Sequence, residues 1–295
     1  VLCLAPRTAA VQIIRKDTKP MRYAFLRFPG FLDKAVTLSY DDGRPADERL
    51  VAVMNAHGLK GTFNLNSFRL DDTLSDRVKN LYLPTGNEIA VHGFYHLPLT
   101  NVADSAVLND IITDRKTLES LSGRIVNGMA YANGSVNAHV TDLVRACGIV
   151  YSRTTVSTHG FSIPENWLLW NPTCHHNDPR LFELADAFVG IGTPPAWYYD
   201  LSGPKLFYLW GHSYEFDNDG NWDRIEKFAG MVGGRSDIWY ATNREIYSYV
   251  SAFNSLIFSA DGGIVYNPTV TELYTEFYGR KVIIPAGSTA ALPIH

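Results

Sequence analysis

Apolar and polar positions alternate along most of the chain in a repeated strand-then-helix rhythm. Residues 35–40 form a short apolar run with β-branched members, and residues 45–57 set Leu50, Val51, Val53 and Met54 at helical spacing before Gly58 stops the helix. Residues 61–65 and 88–91 read as further strands, and residues 103–121 as a helix with Val107, Leu108, Ile111 and Leu118 on one face. Strands at 128–131 and 149–152 enclose a helix at 137–146. Helices at 180–188, 222–231 and 244–253 then alternate with strands at 206–210 and 238–241. This alternation predicts a parallel sheet, open or closed, with helices outside it.

The rhythm stops at Ser255. Short β-like runs at 256–259, 264–266 and 282–284, broken by Asp261-Gly262-Gly263, Asn267-Pro268 and Gly279, predict a small antiparallel β appendage. At the other end, residues 1–10 are mildly apolar but lack the basic segment and long apolar core of a secretory signal, and residues 11–20 are polar and basic before Met21. The expected organisation is a flexible extension over 1–20, an α/β domain over 21–253 and the appendage over 254–295 packed on it. With no clear signal peptide in view, a cytoplasmic location is the expectation.

Composition narrows the class. A chain of 295 residues, 46% hydrophobic and 19% charged, has ample material for a core, which excludes disorder as its dominant state. The 26 basic residues against 30 acidic ones give a net charge of −4, and no stretch gathers the basic ones into a patch, so a nucleic-acid partner is not expected. No apolar run approaches the ~20 residues of a membrane helix, so no membrane partner is expected either. Cys3, Cys147 and Cys174 are odd in number and unpatterned, which argues against a disulfide framework.

Candidate chemistry stands at three strand ends, where an apolar sheet has no structural need of it: Ser39-Tyr40-Asp41-Asp42-Gly43, His92-Gly93-Phe94-Tyr95-His96 and Gly211-His212-Ser213. Parallel α/β folds collect their catalytic residues on the face formed by the C-terminal strand ends. Taken alone, Asp41-Asp42-Gly43 reads as a turn or helix cap, and a lone histidine at a strand end as a hydrogen-bonded structural residue. Two imidazoles four positions apart, joined by a carboxylate, instead suit a divalent ion with an open coordination position. Asp71-Asp72 and residues 217–223 lack the spacing of a calcium loop.

These segments resemble the first two motifs of the polysaccharide deacetylase family, the NodB-homology or carbohydrate esterase family 4 proteins. Lys60-Gly61-Thr62-Phe63-Asn64 resembles the family's second strand, and the likeness spans roughly residues 35–250. The resemblance implies a distorted (β/α) barrel of the NodB type over 21–253, and a divalent metal, most often zinc, held by Asp42, His92 and His96. It also implies Asp41 as the base that takes a proton from the attacking water and His212 as the acid that protonates the leaving group. A backbone N–H near Asn133, with Tyr131 beside it, would serve the oxyanion. The substrate implied is an N- or O-acetylated carbohydrate.

Two departures stand out. Where the family shows an Arg before a Pro and a Tyr, this chain has Gly128-Met129-Ala130-Tyr131-Ala132-Asn133-Gly134-Ser135, which would leave the base without its cationic partner. The family's Asp- and Trp-containing fourth motif is not plain either. Its candidates lie in residues 167–178, where His175 and His176 either line the cleft or lie on the solvated surface. Glu215 or Asp217 is the candidate carboxylate partner of His212. A hydrolase of a non-sugar C–N bond (amide or cyclic imide) on the same scaffold, and a non-catalytic carbohydrate-binding derivative, are the competing readings.

Overall fold

The computed structural model describes residues 24–69, 71–192, 203–277 and 279–293. The expected extension over 1–20 lies outside them. In chain order the elements are β1 (Ala24–Arg27), β2 (Lys34–Asp41), α1 (Asp47–Ala56), β3 (Gly61–Leu65), α2 (Asp72–Arg77), β4 (Glu88–Val91), α3 (Asp104–Ser122), β5 (Gly128–Ala130), α4 (Ala138–Ala146), β6 (Tyr151–Arg153) and β7 (Cys174–His175). There follow α5 (Leu181–Val189), β8 (Lys205–Gly211), α6 (Ser213–Asp219), α7 (Trp222–Val232), β9 (Ile238–Tyr240) and α8 (Asn243–Asn254). The chain closes with β10 (Ile257–Phe258), β11 (Ile264–Tyr266), β12 (Leu273–Phe277), β13 (Arg280–Ile284) and β14 (Thr289–Ala291).

The main sheet is parallel and runs β6-β5-β4-β3-β2-β8-β7. Strand β2 is an interior strand, and all eight of its residues are buried, as expected of a strand covered on both faces. One edge of β2 is shared: β9 pairs with its first residues (Lys34↔Ile238) and β3 with its last (Leu38↔Gly61), while β8 takes the other edge along its length. The segment after β6 completes the curl. Trp170 is bonded to β6 (Trp170 N to Ser152 O, 3.0 Å), and a few residues later Thr173 is bonded to β8 (Thr173 N to Tyr208 O, 2.8 Å). The result is the distorted barrel of the NodB type.

Alternation along β2 sorts its side chains. Val36, Leu38 and Tyr40 join the large core cluster that contains Leu50, Val51 and Met54 of α1. On the opposite face, Thr37, Ser39 and Asp41 form a buried polar column. Its members are satisfied by neighbours: Thr37 Oγ1 donates to Asn243 Oδ1 (2.9 Å), and Asn64 Nδ2 donates to Ser39 Oγ and to Asp41 Oδ1 (2.8 Å each). The column ends in Asp41, at the strand's C-terminus.

Two small antiparallel sheets, β1-β12-β13 and β10-β11-β14, accompany the parallel one. Strand β1 lies early in the chain yet pairs with β12 (Ala24↔Phe277, Arg27↔Tyr274), and Tyr249 of α8 fastens both, donating to Arg27 O and accepting from Tyr274 N. Four residues are too short a run for periodicity to announce, and β7, α2 and α6 escape for the same reason. Among the described residues, no helix is long and apolar enough to cross a membrane.

Candidate active site

The end of β2 separates two adjacent carboxylates. Asp41 continues the strand alternation and is buried, whereas Asp42 turns to a φ of 77° while its amide still bonds Asn64 O (2.9 Å). Among the described residues only five non-glycine residues have positive φ, and three of them, Asp42, His96 and Asn133, are expected site residues. A left-handed backbone at such residues costs energy that the surrounding structure has to impose.

His92 and His96 follow β4 on a tight loop rather than a helix. The His92 ring is set by Nδ1, which donates to Ala130 O at 2.8 Å. A carbonyl only accepts, so Nδ1 carries the proton and Nε2 is left as a lone pair. That Nε2 is buried and without a hydrogen-bond partner, 3.6 Å from Asp41 Oδ2 and 3.8 Å from Asp42 Oδ1. His96 Nε2 also stands 3.8 Å from Asp42 Oδ1. Burial pushes His92 below its ordinary pKa despite the nearby Asp41 and Asp42 charges, which keeps the ring in the neutral form that binds a cation.

The loop is fastened from α3 and β3. Asp114 accepts from the His92 amide (3.0 Å) and the Ser67 amide (2.8 Å), Asp110 accepts from the Tyr95 amide (2.7 Å), and Asn66 Nδ2 donates to His92 O and Gly93 O. Gly93 has φ 83°, and a Cβ there would stand 2.4 Å from Asp110 Oδ2, so a larger residue would displace the brace. An orphaned imidazole nitrogen, a second imidazole and the Asp42 carboxylate, with ligand atoms within 4.8 Å of one another, fit a divalent cation.

The expectation that Asp41 lacks a cationic partner is corrected. Arg153, the last residue of β6, forms a buried ion pair and hydrogen bond with Asp41 Oδ2. Its guanidinium also lies over the Trp210 ring, 4.2 Å from the centroid. Burial pushes the Asp41 carboxyl up, but the Arg153 charge and hydrogen bond, with His212 nearby, outweigh it and hold the pKa below the usual carboxylate value. The third-motif segment carries no Arg because the next strand supplies one. Its sequence signal is a charged residue at the end of a buried strand, one position beyond the expected run at 149–152.

His212 follows β8 and precedes α6. Its Nε2 lies 3.9 Å from Asp41 Oδ2, and its Nδ1 lies 3.2 Å from Glu215 Oε1. Burial alone would lower the His212 pKa, but the Glu215 bond and the Asp41 charge hold it above the ordinary histidine value. Glu215 is thus the carboxylate beside His212, while Asp217 accepts from Trp222 Nε1 (2.8 Å). Neither His175 nor His176 lines the cleft. Both stand behind His212 with Nε2 against Glu215 Oε2, at 3.2 and 2.9 Å, His175 partly exposed and His176 fully buried.

Asp41, Asp42, His92, His96 and His212 line one pocket of about 210 Å³ with Trp210 and Tyr214. Tyr131, Asn133 and Thr155 form another part of its wall. Two larger depressions, of about 410 Å³ beside Glu88 and Arg244 and about 560 Å³ beside Lys79 and Lys116, hold neither of the described clusters of cation-ligating residues.

Residues 30–152 match the family model for polysaccharide deacetylases. Solved structures repeat the fold. A Mycobacterium smegmatis protein assigned as a polysaccharide deacetylase shares 17% identity over 79% of this chain and 95% of its own, with a TM-score of 0.56. A family 4 carbohydrate esterase from Streptomyces lividans, in complex with acetate, shares 13% over 71% of this chain and 93% of its own, at 0.50. A family 4 acetyl xylan esterase from Clostridium thermocellum, in complex with a cobalt ion, shares 13% over 73% of this chain and 91% of its own, also at 0.50. No curated protein matches the chain. Over residues 30–152 the chain resembles the polysaccharide deacetylase family, and its fold is the NodB-type fold of these solved structures.

Proposed function

We propose that the chain is a metal-dependent hydrolase that removes acetyl groups from an N- or O-acetylated carbohydrate. The observation that carries the reading is Asp41, held ionised by Arg153, with the orphaned His92 Nε2 on one side and His212 on the other. Asp42, His92 and His96 would hold the cation, zinc first by donor type. When bound it supplies positive charge for the attacking water and for the developing oxyanion.

The chain's own residues do the rest. Asp41 takes the proton from the water, because Arg153 keeps its carboxylate charged and fixes its orientation. His212 gives a proton to the departing oxygen or nitrogen, and the Glu215 carboxylate favours the charged imidazolium that this requires. The left-handed backbone at Asn133 sets the turn whose amide is the candidate second oxyanion donor. Tyr214 and Trp210 supply apolar wall against which a sugar ring stacks.

No observation favours hydrolysis of a non-sugar C–N bond, since that reading was motivated by the missing Arg and Arg153 answers it. The test is acetate release from acetylated chitooligosaccharides and acetylated xylan by the zinc-loaded chain, with cyclic ureides as the contrast. Turnover on a sugar substrate, reduced at least a hundredfold by Asp41→Asn, is the expected result. Turnover of the ureides alone, or an Asp41→Asn chain as active as the wild type, would sink the reading.

A further inference from the structure

Behind His212 the structure gathers a second set of ligating groups that the proposed reaction does not need as a set. His175, His212 and the Glu215 carboxylate each offer a ligand atom, and these atoms lie within 4.8 Å of one another. They come from β7, from the turn after β8 and from the first turn of α6. The two imidazoles contact different oxygens of the same carboxylate, His175 on Oε2 and His212 on Oε1, at 3.2 Å each. A third imidazole stands beside them. His176 is fully buried between Phe216 and Tyr40, its Nε2 is 2.9 Å from Glu215 Oε2, and neither of its ring nitrogens makes a well-formed hydrogen bond. It fits there only because residue 211 is glycine: a Cβ at that position would be 2.1 Å from His176 Nδ1.

We propose that His175, His212 and Glu215 form a second, inhibitory binding site for a borderline divalent cation such as zinc, filled in competition with the catalytic use of His212. Two imidazoles and a carboxylate are the donor set such ions take, and the partly exposed His175 gives the ion a way in. Binding moves the His175 ring proton from Nε2 to Nδ1 and gives up the bond that Nδ1 now accepts from the Asn177 amide (3.1 Å). The loss of one such hydrogen bond is small beside the binding free energy of a zinc ion.

The consequence for His212 follows from the chemistry of imidazole. An ion on Nδ1 leaves the ring neutral, with a single proton on Nε2, so the imidazolium cannot form and giving up that last proton would create an imidazolate. The ring still faces Asp41 but no longer works as an acid. This inhibitory consequence rests on the reading of His212 as the acid, whereas the ion site itself does not.

Zinc added stepwise to the metal-free full-length chain, with bound metal counted after desalting, separates the two claims. The wild type is expected to hold two zinc ions. His96→Ala and His175→Ala are each expected to hold one, by losing different ions, with folding checked by thermal melting. A folded His175→Ala chain that holds as many ions as the wild type overturns the site even if the chain hydrolyses none of the acetylated sugars offered. Where turnover is measured, filling the second site is expected to suppress it at least tenfold in the wild type and to leave His175→Ala at whatever rate it had. Equal suppression in both chains, or none in the wild type, overturns the inhibitory role.

Discussion

Arg153 is the residue on which the proposed chemistry most depends and which sequence motifs least reveal. Its guanidinium meets Asp41 in the buried interior and is flanked by Trp210. Removing one partner of such a pair leaves the other as an uncompensated buried charge, typically at a cost of several kcal/mol. With burial then unopposed by its main neighbouring charge, Asp41 rises toward the protonated form. Arg153→Met is expected to lower kcat/KM at neutral pH by about a hundredfold or more and to move the acid limb of its pH profile upward. Arg153→Lys keeps a charge but not the planar fork, and falls between. A proportional loss at every pH, with the acid limb unmoved, would make Arg153 a packing residue only. Asp41, Asp42, His92, His96 and His212 were legible because each closes an apolar run with a polar group. Arg153 was not, because its relation to Asp41 depends on which strand the sheet brings alongside.

At the scale of elements, the loop after β4 holds its position through buried acids on α3, and a further buried acid stands at the start of α1. Asp110 and Asp114 on α3 fasten the loop that carries His92 and His96, and Asp47 opens α1 beneath the loop that carries Asp42. Alternation and helical spacing identify the strands and helices, but read Asp110, Asp114 and Asp47 only as polar positions on amphipathic helices. Asp47 accepts from Tyr82 OH (2.6 Å), and burial pushes its pKa up from the usual carboxylate range to about 7. The folded chain therefore keeps a proton that the unfolded chain gives up at about pH 4. Between those values the unfolded state binds fewer protons, so stability falls as pH rises. At about 1.4 kcal/mol per pKa unit, the loss between pH 5 and 8 reaches about 3 kcal/mol from this group. Urea unfolding at the two pH values should show Asp47→Asn losing less stability than the wild type by up to that amount. Identical losses in the two proteins would mean that Asp47 is ionised in the fold.

Across the whole molecule, the parallel sheet brings together groups more than 170 positions apart in sequence, from Asp41 to His212, at the end where its strands finish. That arrangement carries a cost. Asp42 and His96 are held in left-handed backbone, His92 presents a buried nitrogen with no partner, and the carboxylates of Asp41 and Asp42 both stand within 4 Å of it. A cation at Asp42, His92 and His96 answers all of these features together, and it binds the folded chain in preference to the unfolded one. At a free concentration of about 100 times its Kd, such an ion adds about 2.7 kcal/mol of stability, which for a chain of this size corresponds to a rise in Tm of several degrees. Zinc buffered at that free concentration should produce that rise in the metal-free protein, and chelation should reverse it. His96→Ala should lose most of the rise, because the remaining carboxylate and single imidazole make a poorer site. A wild-type Tm indifferent to zinc, or a rise undiminished in His96→Ala, would mean that the strain at Asp42 and His96 serves something other than a cation.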